Sequence, residues 1–184
     1  MRDDVKTFLT EEIRKASQEG RLTDNRELAA AGSRFFNTEF TPDMIAARIE
    51  SVARIESPDI HIFQGKECCR YYSSNSMTDS YAEILNISAE GDDIMLIVHT
   101  VRRESRTYPR PTILSQFLDA PFSVKPGRLN QIAEVLASNT EDYRDIRLTR
   151  ASNGDGYLFS ADFLDESQAK YMAEWESVES LEIQ

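Results

Sequence analysis

Two cysteines stand side by side at Cys68-Cys69, within KECCRYYSS (66–74), and they are the only thiols in the chain. With His61 they are also the one local set that resembles metal ligands. A zinc site needs three or four Cys, His or carboxylate ligands converging on one point. Successive side chains of a strand point to opposite faces, so a strand through 68–72 separates the two thiols. A tight turn centred on Gly65-Lys66 sets Phe63 opposite Cys68 and Ile62 opposite Cys69. Ile60, Ile62, Cys69 and Tyr71 then share an inner face, and Cys68 points outward. Cys69 reads as a small buried hydrophobe. Lys66 and Arg70 lend Cys68 a positive setting, which leaves a thiol redox sensor at Cys68 and Cys69 as one alternative.

Other chemistry is sparse. His61 and His99 fall in a predicted strand and a predicted helix, with no Ser, Cys or carboxylate at a recognisable spacing. SNGDG (152–156) is glycine-rich but is a hairpin turn, without the Lys and the strand–loop–helix setting of a phosphate loop. No catalytic residue, metal site or cofactor is expected.

Charge is more informative. The net charge of −11 disfavours non-specific binding to nucleic acid or anionic lipid. Between residues 100 and 151, however, nine cations (Arg102, Arg103, Arg106, Arg110, Lys125, Arg128, Arg144, Arg147, Arg150) outnumber six acids (Glu104, Asp119, Glu134, Glu141, Asp142, Asp145), a local net of +3. From Asp162 onward seven acids face Lys170 alone. The last helix carries Ala169, Met172, Ala173, Trp175 and Val178 as its apolar set, with Trp175 expected to pack on its own domain. The longest apolar run, Ile94 to Val98, is far short of the roughly 20 residues that span a bilayer. Two cysteines and an acidic, amphipathic N-terminus without a signal-like apolar stretch point to the cytoplasm.

The elements that hold these residues repeat. DDVKTFLTEEIRK (3–15) lies over DDIMLIVHTVRRE (92–104), and FFNTEFTPDM (35–44) over FLDAPFSVKP (117–126). PDIHIFQGKECCRYYSS (58–74) lies over RDIRLTRASNGDGYLFS (144–160), and TDSYAEIL (78–85) over DESQAKYM (165–172). Apolar residues at helical spacing predict helices over 3–18, 25–31 and from Thr41-Pro42 to Pro58. Helices over 92–107, about 112–118, 126–138 and 165–178 follow in the second half. Asn153-Gly154 predicts a type I′ hairpin turn pairing Arg150 with Tyr157 and Leu148 with Phe159. The expected fold is mostly helical α+β, as two pseudo-repeated helix-helix-helix-hairpin-helix units at 1–88 and 89–184, with NISAEG (86–91) as the linker.

Three helices and a hairpin resemble a winged helix, carried here by NRELAAAG, TPDMIAARIESVARI and DIHIFQGKECCRYY. In the second half TILSQFL, KPGRLNQIAEVLAS and DIRLTRASNGDGYLFS carry it. A tandem acidic pair also looks like scaffold proteins such as bacterial condensin accessory subunits. The stretch GSRFFNTEF is longer than the usual helix-turn-helix turn. The acidic charge, the sparse catalytic chemistry and the duplication point to a non-enzymatic interaction protein with a protein partner, with a homo-oligomer open and no membrane contact. The alternative that the resemblance implies is a DNA-binding regulator using Arg128, Arg144, Arg147 and Arg150 around the second wing.

Overall fold

A computed structural model describes residues 2–138 and 141–179, and the chain divides into two compact units, Met1–Glu90 and Gly91–Gln184. The fold is mostly helical α+β with two small antiparallel sheets of three strands each. Among the described residues no helix is long and apolar enough to cross a membrane.

Unit 1 runs α1 (Arg2–Gln18), β1 (Thr23–Asp24), α2 (Asn25–Phe36), α3 (Pro42–Ile55), β2 (Ile60–Gln64), β3 (Cys69–Ser73) and α4 (Asp79–Ala89). The apolar stripe Val5, Leu9, Ile13 of α1 meets Leu28 of α2, Ile45 and Ile49 of α3, and Ile60 and Tyr71 of the sheet. Each such fully buried side chain is worth roughly 1.5–3 kcal/mol of transfer free energy. Thr41 caps α3 by accepting from the Met44 N–H, with Pro42 in the first turn. Helix α2 passes through Gly32 instead of ending there. A side chain at Gly32 would meet the Phe40 ring, and the helix stops at Asn37, whose left-handed backbone (φ 50) returns its N–H to the Ser33 carbonyl.

Unit 2 runs α5 (Asp93–Thr107), β4 (Thr112–Ile113), a short 3-10 segment (Leu114–Leu118), α6 (Pro126–Ala137), β5 (Ile146–Arg150), β6 (Gly156–Ser160) and α7 (Glu166–Glu174), with a π-helical turn at Trp175–Glu179. The expected helix over 112–118 is thus a short strand and a 3-10 turn. Pro111 disfavours helical backbone at Arg110, and β-branched Thr112 and Ile113 suit a strand. The expected linker is also shorter, because α4 continues through Ala89.

Strand order is β1-β3-β2 in one sheet and β4-β6-β5 in the other, so the hairpins do not join. Both hairpin registers differ from expectation. In unit 1, Ile62 pairs with Tyr71 and Gln64 with Cys69. The Gly65 N–H bonds the Cys68 carbonyl at 3.1 Å, which moves the loop to Lys66-Glu67. A shift of two keeps the faces as expected. In unit 2, Leu148 pairs with Leu158 and Arg150 with Gly156. The Gly154 N–H bonds the Ala151 carbonyl and the Ala151 N–H the Asp155 carbonyl, each at 3.0 Å, with Gly154 left-handed (φ 96). That is a three-residue loop with a glycine bulge, not a two-residue type I′ turn. The slip of one moves Tyr157 and Phe159 to the opposite face from Ile146 and Leu148.

This face is not open to water. In unit 1 Tyr72 packs with Met77 and Ala82, and with Leu22, Phe63 and Leu85. In unit 2 Tyr157 packs with Ala173, and Phe159 with Leu164 and Ala169. Each sheet therefore lies between its leading helices and its closing helix.

A polar clamp ties the first helix of each unit to its hairpin. Arg14 donates from Nε and Nη2 to Asp59 at 2.9 and 2.8 Å, and the Ser73 hydroxyl donates to the same carboxylate at 2.7 Å. Ser17 Oγ accepts the Ser73 N–H at 2.9 Å. In unit 2 Arg102 donates to Asp145 at 2.9 and 2.6 Å and Ser160 donates to it at 2.8 Å. Ser105 Oγ accepts the Ser160 N–H at 3.0 Å. Arg14 lies over Arg102 and Ser17 over Ser105, one residue off the helix alignment read from DDVKTFLTEEIRK and DDIMLIVHTVRRE.

Two outcomes follow from the clamp and the turn. The Arg14 hydrogen bonds, helped by Ser73 and opposed by burial, pull the Asp59 carboxyl from 3.8 down to about 2. A carboxyl lowered in the folded state stabilises it above the unfolded value and loses that contribution as pH falls toward about 2. Asp59 is 11% exposed but Arg14 39%, so solvent screening holds the contribution to roughly 1–2 kcal/mol. Thermal midpoints followed from pH 6 to pH 2.5 should fall less steeply for Asp59→Asn than for the natural chain, from a lower starting point. At Gly65 an added Cβ would sit 2.6 Å from the Cys68 carbonyl oxygen, whereas at Gly127 it meets nothing. Gly65→Ala should cost about 1–3 kcal/mol in urea unfolding; Gly127→Ala, in the first turn of α6, should gain up to about 1 kcal/mol.

Candidate docking surface

The thiols do not sit as the alternation of a free strand implies. Cys68 lies just before β3 and is the buried one, while Cys69 is half-buried at the edge of the unit 1 core. On that side of the sheet α4 packs Ala82 and Leu85 against Tyr72. Both are free thiols, and Cys69 Sγ donates to Gln64 Oε1 at 3.1 Å. Arg70, the expected source of positive charge, is engaged by Glu90 and by Asn86 Oδ1. His61 stacks on Tyr72, with ring centroids 4.9 Å apart. Among the described residues no three His, Cys, Asp or Glu side chains converge as a metal site.

The four arginines of the second wing are not one cluster. Arg147 pairs with Phe159 and Arg150 with Gly156, so they stand on opposite faces of β5, because a spacing of three inverts direction along a strand. Arg144 is exposed ahead of the strand. Arg128, in the first turn of α6, has its Nε 3.7 Å from an Asp93 oxygen. The four are a dispersed set around the strand and the α6 start.

A different surface of unit 2 gathers residues of the types that anchor protein contacts. A hollow of about 500 Å³ is lined by Arg110, Tyr171, Met172, Trp175 and Glu176. Tyr171 and Trp175 are four residues apart, hence neighbours on the helical surface, and are 65% and 49% exposed. Trp175 therefore does not bury itself in its own domain as expected from its place among the apolar residues of the last helix.

The ridge is held from below. Helix α7 buries Ala169 and Ala173 against the sheet, which turns Tyr171 outward. The π turn then adds a residue to the helical repeat, and such turns often mark functional positions. It is pinned to the β5–β6 loop. The Ser152 N–H donates to Glu174 at 2.7 Å and the Ser152 hydroxyl donates to the same carboxylate, which lowers the Glu174 pKa. Ser177 Oγ lies 2.6 Å from the buried Tyr157 hydroxyl and donates to Asp155 at 2.9 Å. The facing wall is equally fixed. Arg110 donates from Nε and Nη2 to Glu104 at 2.9 and 2.8 Å, and its guanidinium lies 5.4 Å from the Tyr108 ring centroid.

The apolar set read from the last helix leaves out Tyr171 and so gives no sign of this surface. The signal was present in the small residues Ala169 and Ala173, which sit where a helix approaches a sheet and leave the larger neighbours outside. Of the seven acids from Asp162 onward, Glu182 lies outside the described residues.

Residues 91–181 match the family model described as the YdhW C-terminal domain, and that stretch begins where unit 2 begins. Over 165 residues the chain is 30% identical to the uncharacterized protein YdhW of Escherichia coli (strain K12), which spans 85% of this chain and 76% of that protein. No solved structure matches. With the relative covering both units and the family model covering the second, the chain belongs to the YdhW family.

Proposed function

We propose that the protein is a non-enzymatic interaction protein, built from two winged-helix-like units, that docks a partner protein through unit 2. The observation that carries this reading is the Tyr171–Trp175 ridge beside its hollow. Two large aromatic side chains held in water by a rigid helix are costly to leave exposed, and Trp, Tyr and Arg dominate interface energetics. Support for the winged-helix-like description comes from the order helix, short strand, helices, hairpin, with the short first strand beside the last one. The matched clamps support descent of both units from one duplicated unit. A reducing cytoplasm suits two unpaired thiols. Binding of DNA draws less support, since Arg147 and Arg150 face opposite ways and Arg128 lies near Asp93.

The test uses a photo-crosslinking amino acid placed in the full chain in its source cells, at position 171 and separately at position 54 on unit 1. Crosslinks to a discrete protein from position 171, absent from position 54, are expected. A chain that gives no protein crosslink from position 171, or gives the same products from both positions, refutes docking through this surface.

A further inference from the structure

Charge around the ridge specifies what it would receive. We propose that the Tyr171–Trp175 surface takes a basic amphipathic helix of the partner protein, an inference that rests on the docking reading above. Tyr171 and Trp175 stand on a helical segment of strong negative charge, with Glu176 in the lining of the hollow. Along 162–176 the acids Asp162, Asp165, Glu166, Glu174 and Glu176 stand against Lys170 alone, and with Asp165 capping α7 and Glu174 held by Ser152, the exposed Asp162, Glu166 and Glu176 carry the surplus. The cation in the wall, Arg110, is already engaged, with two of its donors on Glu104, whose other oxygen lies 3.7 Å from Arg103 Nη2. Arg110 therefore holds the wall in shape and offers little to an acidic ligand.

Both features select the same chemistry. Aromatic faces attract Lys and Arg through the ring quadrupole, and the negative charge of this segment adds a long-range pull on the same side chains. An anionic partner, whether nucleic acid or an acidic lipid surface, meets repulsion from α7. A helix is the fitting shape. Tyr171, Met172 and Trp175 present a short ridge beside a hollow that admits one or two large apolar side chains, and an amphipathic helix offers such anchors at i and i+3 or i+4. A cationic face flanking those anchors then meets Glu176 and the negative charge of this segment.

Trp175 is the only tryptophan in the chain, so its emission reports on this surface directly. The full chain is titrated with three tryptophan-free 18-residue synthetic peptides: a Leu/Lys amphipathic helix, its Leu/Glu counterpart, and a Leu/Lys sequence scrambled to remove the periodicity. The Leu/Lys helix should shift the emission to the blue, saturate, and bind at least tenfold more tightly than the other two. Tyr171→Ala leaves the net charge unchanged and should weaken that binding at least fivefold, with the thermal midpoint unmoved. Glu176→Gln provides a second, isosteric variant and should weaken it twofold or more. Equal binding of the Leu/Glu peptide, equal binding of the scrambled peptide, or unaltered affinity in both variants overturns the proposal. The two readings fail separately. Crosslinks from position 171 to a protein that meets the ridge with an acidic or uncharged segment leave the docking surface standing and remove only its basic specificity.

Discussion

A carboxylate held by an arginine and a serine sets the geometry of each unit. Asp59 and Asp145 stand immediately before the first strand of their hairpins and reach back to the first helix. Each brings together three segments distant in sequence: a helix through Arg14 or Arg102, the strand entry, and the strand end through Ser73 or Ser160. The serine one turn further along the helix accepts the strand's terminal N–H, which the two-residue first strand is too short to reach. An unsatisfied N–H there would carry a desolvation cost of about 1–3 kcal/mol. Apolar burial supplies most of the driving force, but it is non-directional. The clamp fixes the helix against the sheet in rotation and in register, and the closing helix can then find its seat on the other face.

That second face explains why the aromatic ridge exists. A sheet covered on one side would have offered a solvated wing. Here Tyr157 and Phe159 need a partner, and α7 supplies Ala169 and Ala173. Small residues let the helix approach closely, and close approach leaves its large side chains on the flank and the outer surface. The π turn begins at Trp175 and is held at Ser177 by Asp155 and Tyr157, while Ser152 holds Glu174 just ahead of it. The exposed aromatics are thus a product of core packing on the opposite side of the same helix.

Much of this was legible in the amino-acid order. Period-3.6 spacing found α1, α3, α5 and α6, because each buries a continuous stripe. Thr41-Pro42 marked the start of α3 through a local rule. The hairpins were legible as hairpins, but their registers were not, since a register depends on how many residues the turn absorbs and the turn depends on contacts made elsewhere. At Gly65 the close carbonyl of Cys68 decides the turn, and at Gly154 the left-handed bulge does. The burial of Cys68 escaped for the same reason. Alternation tells which face a side chain takes, but not that α4 comes to lie on that face. The clamps were visible as Arg-x-x-Ser twice and Asp-Ile twice, hidden by a helix alignment displaced by one residue that matched apolar positions and overlooked polar ones.

The bulge at Gly154 has a wider meaning for how such a chain can change. The second loop is one residue longer than the first, yet Ile146 still faces Ser160 as Ile60 faces Ser73. A left-handed glycine takes up the added length at the tip, so the insertion is silent below it and the Asp145 clamp keeps its partners. The same added residue carries Ser152, Asn153 and Asp155 out to where they grip the closing helix. A single inserted codon in a tip that transmits nothing to the strands can in this way alter what the far helix displays. Two similar cores in one chain can then present different outer surfaces.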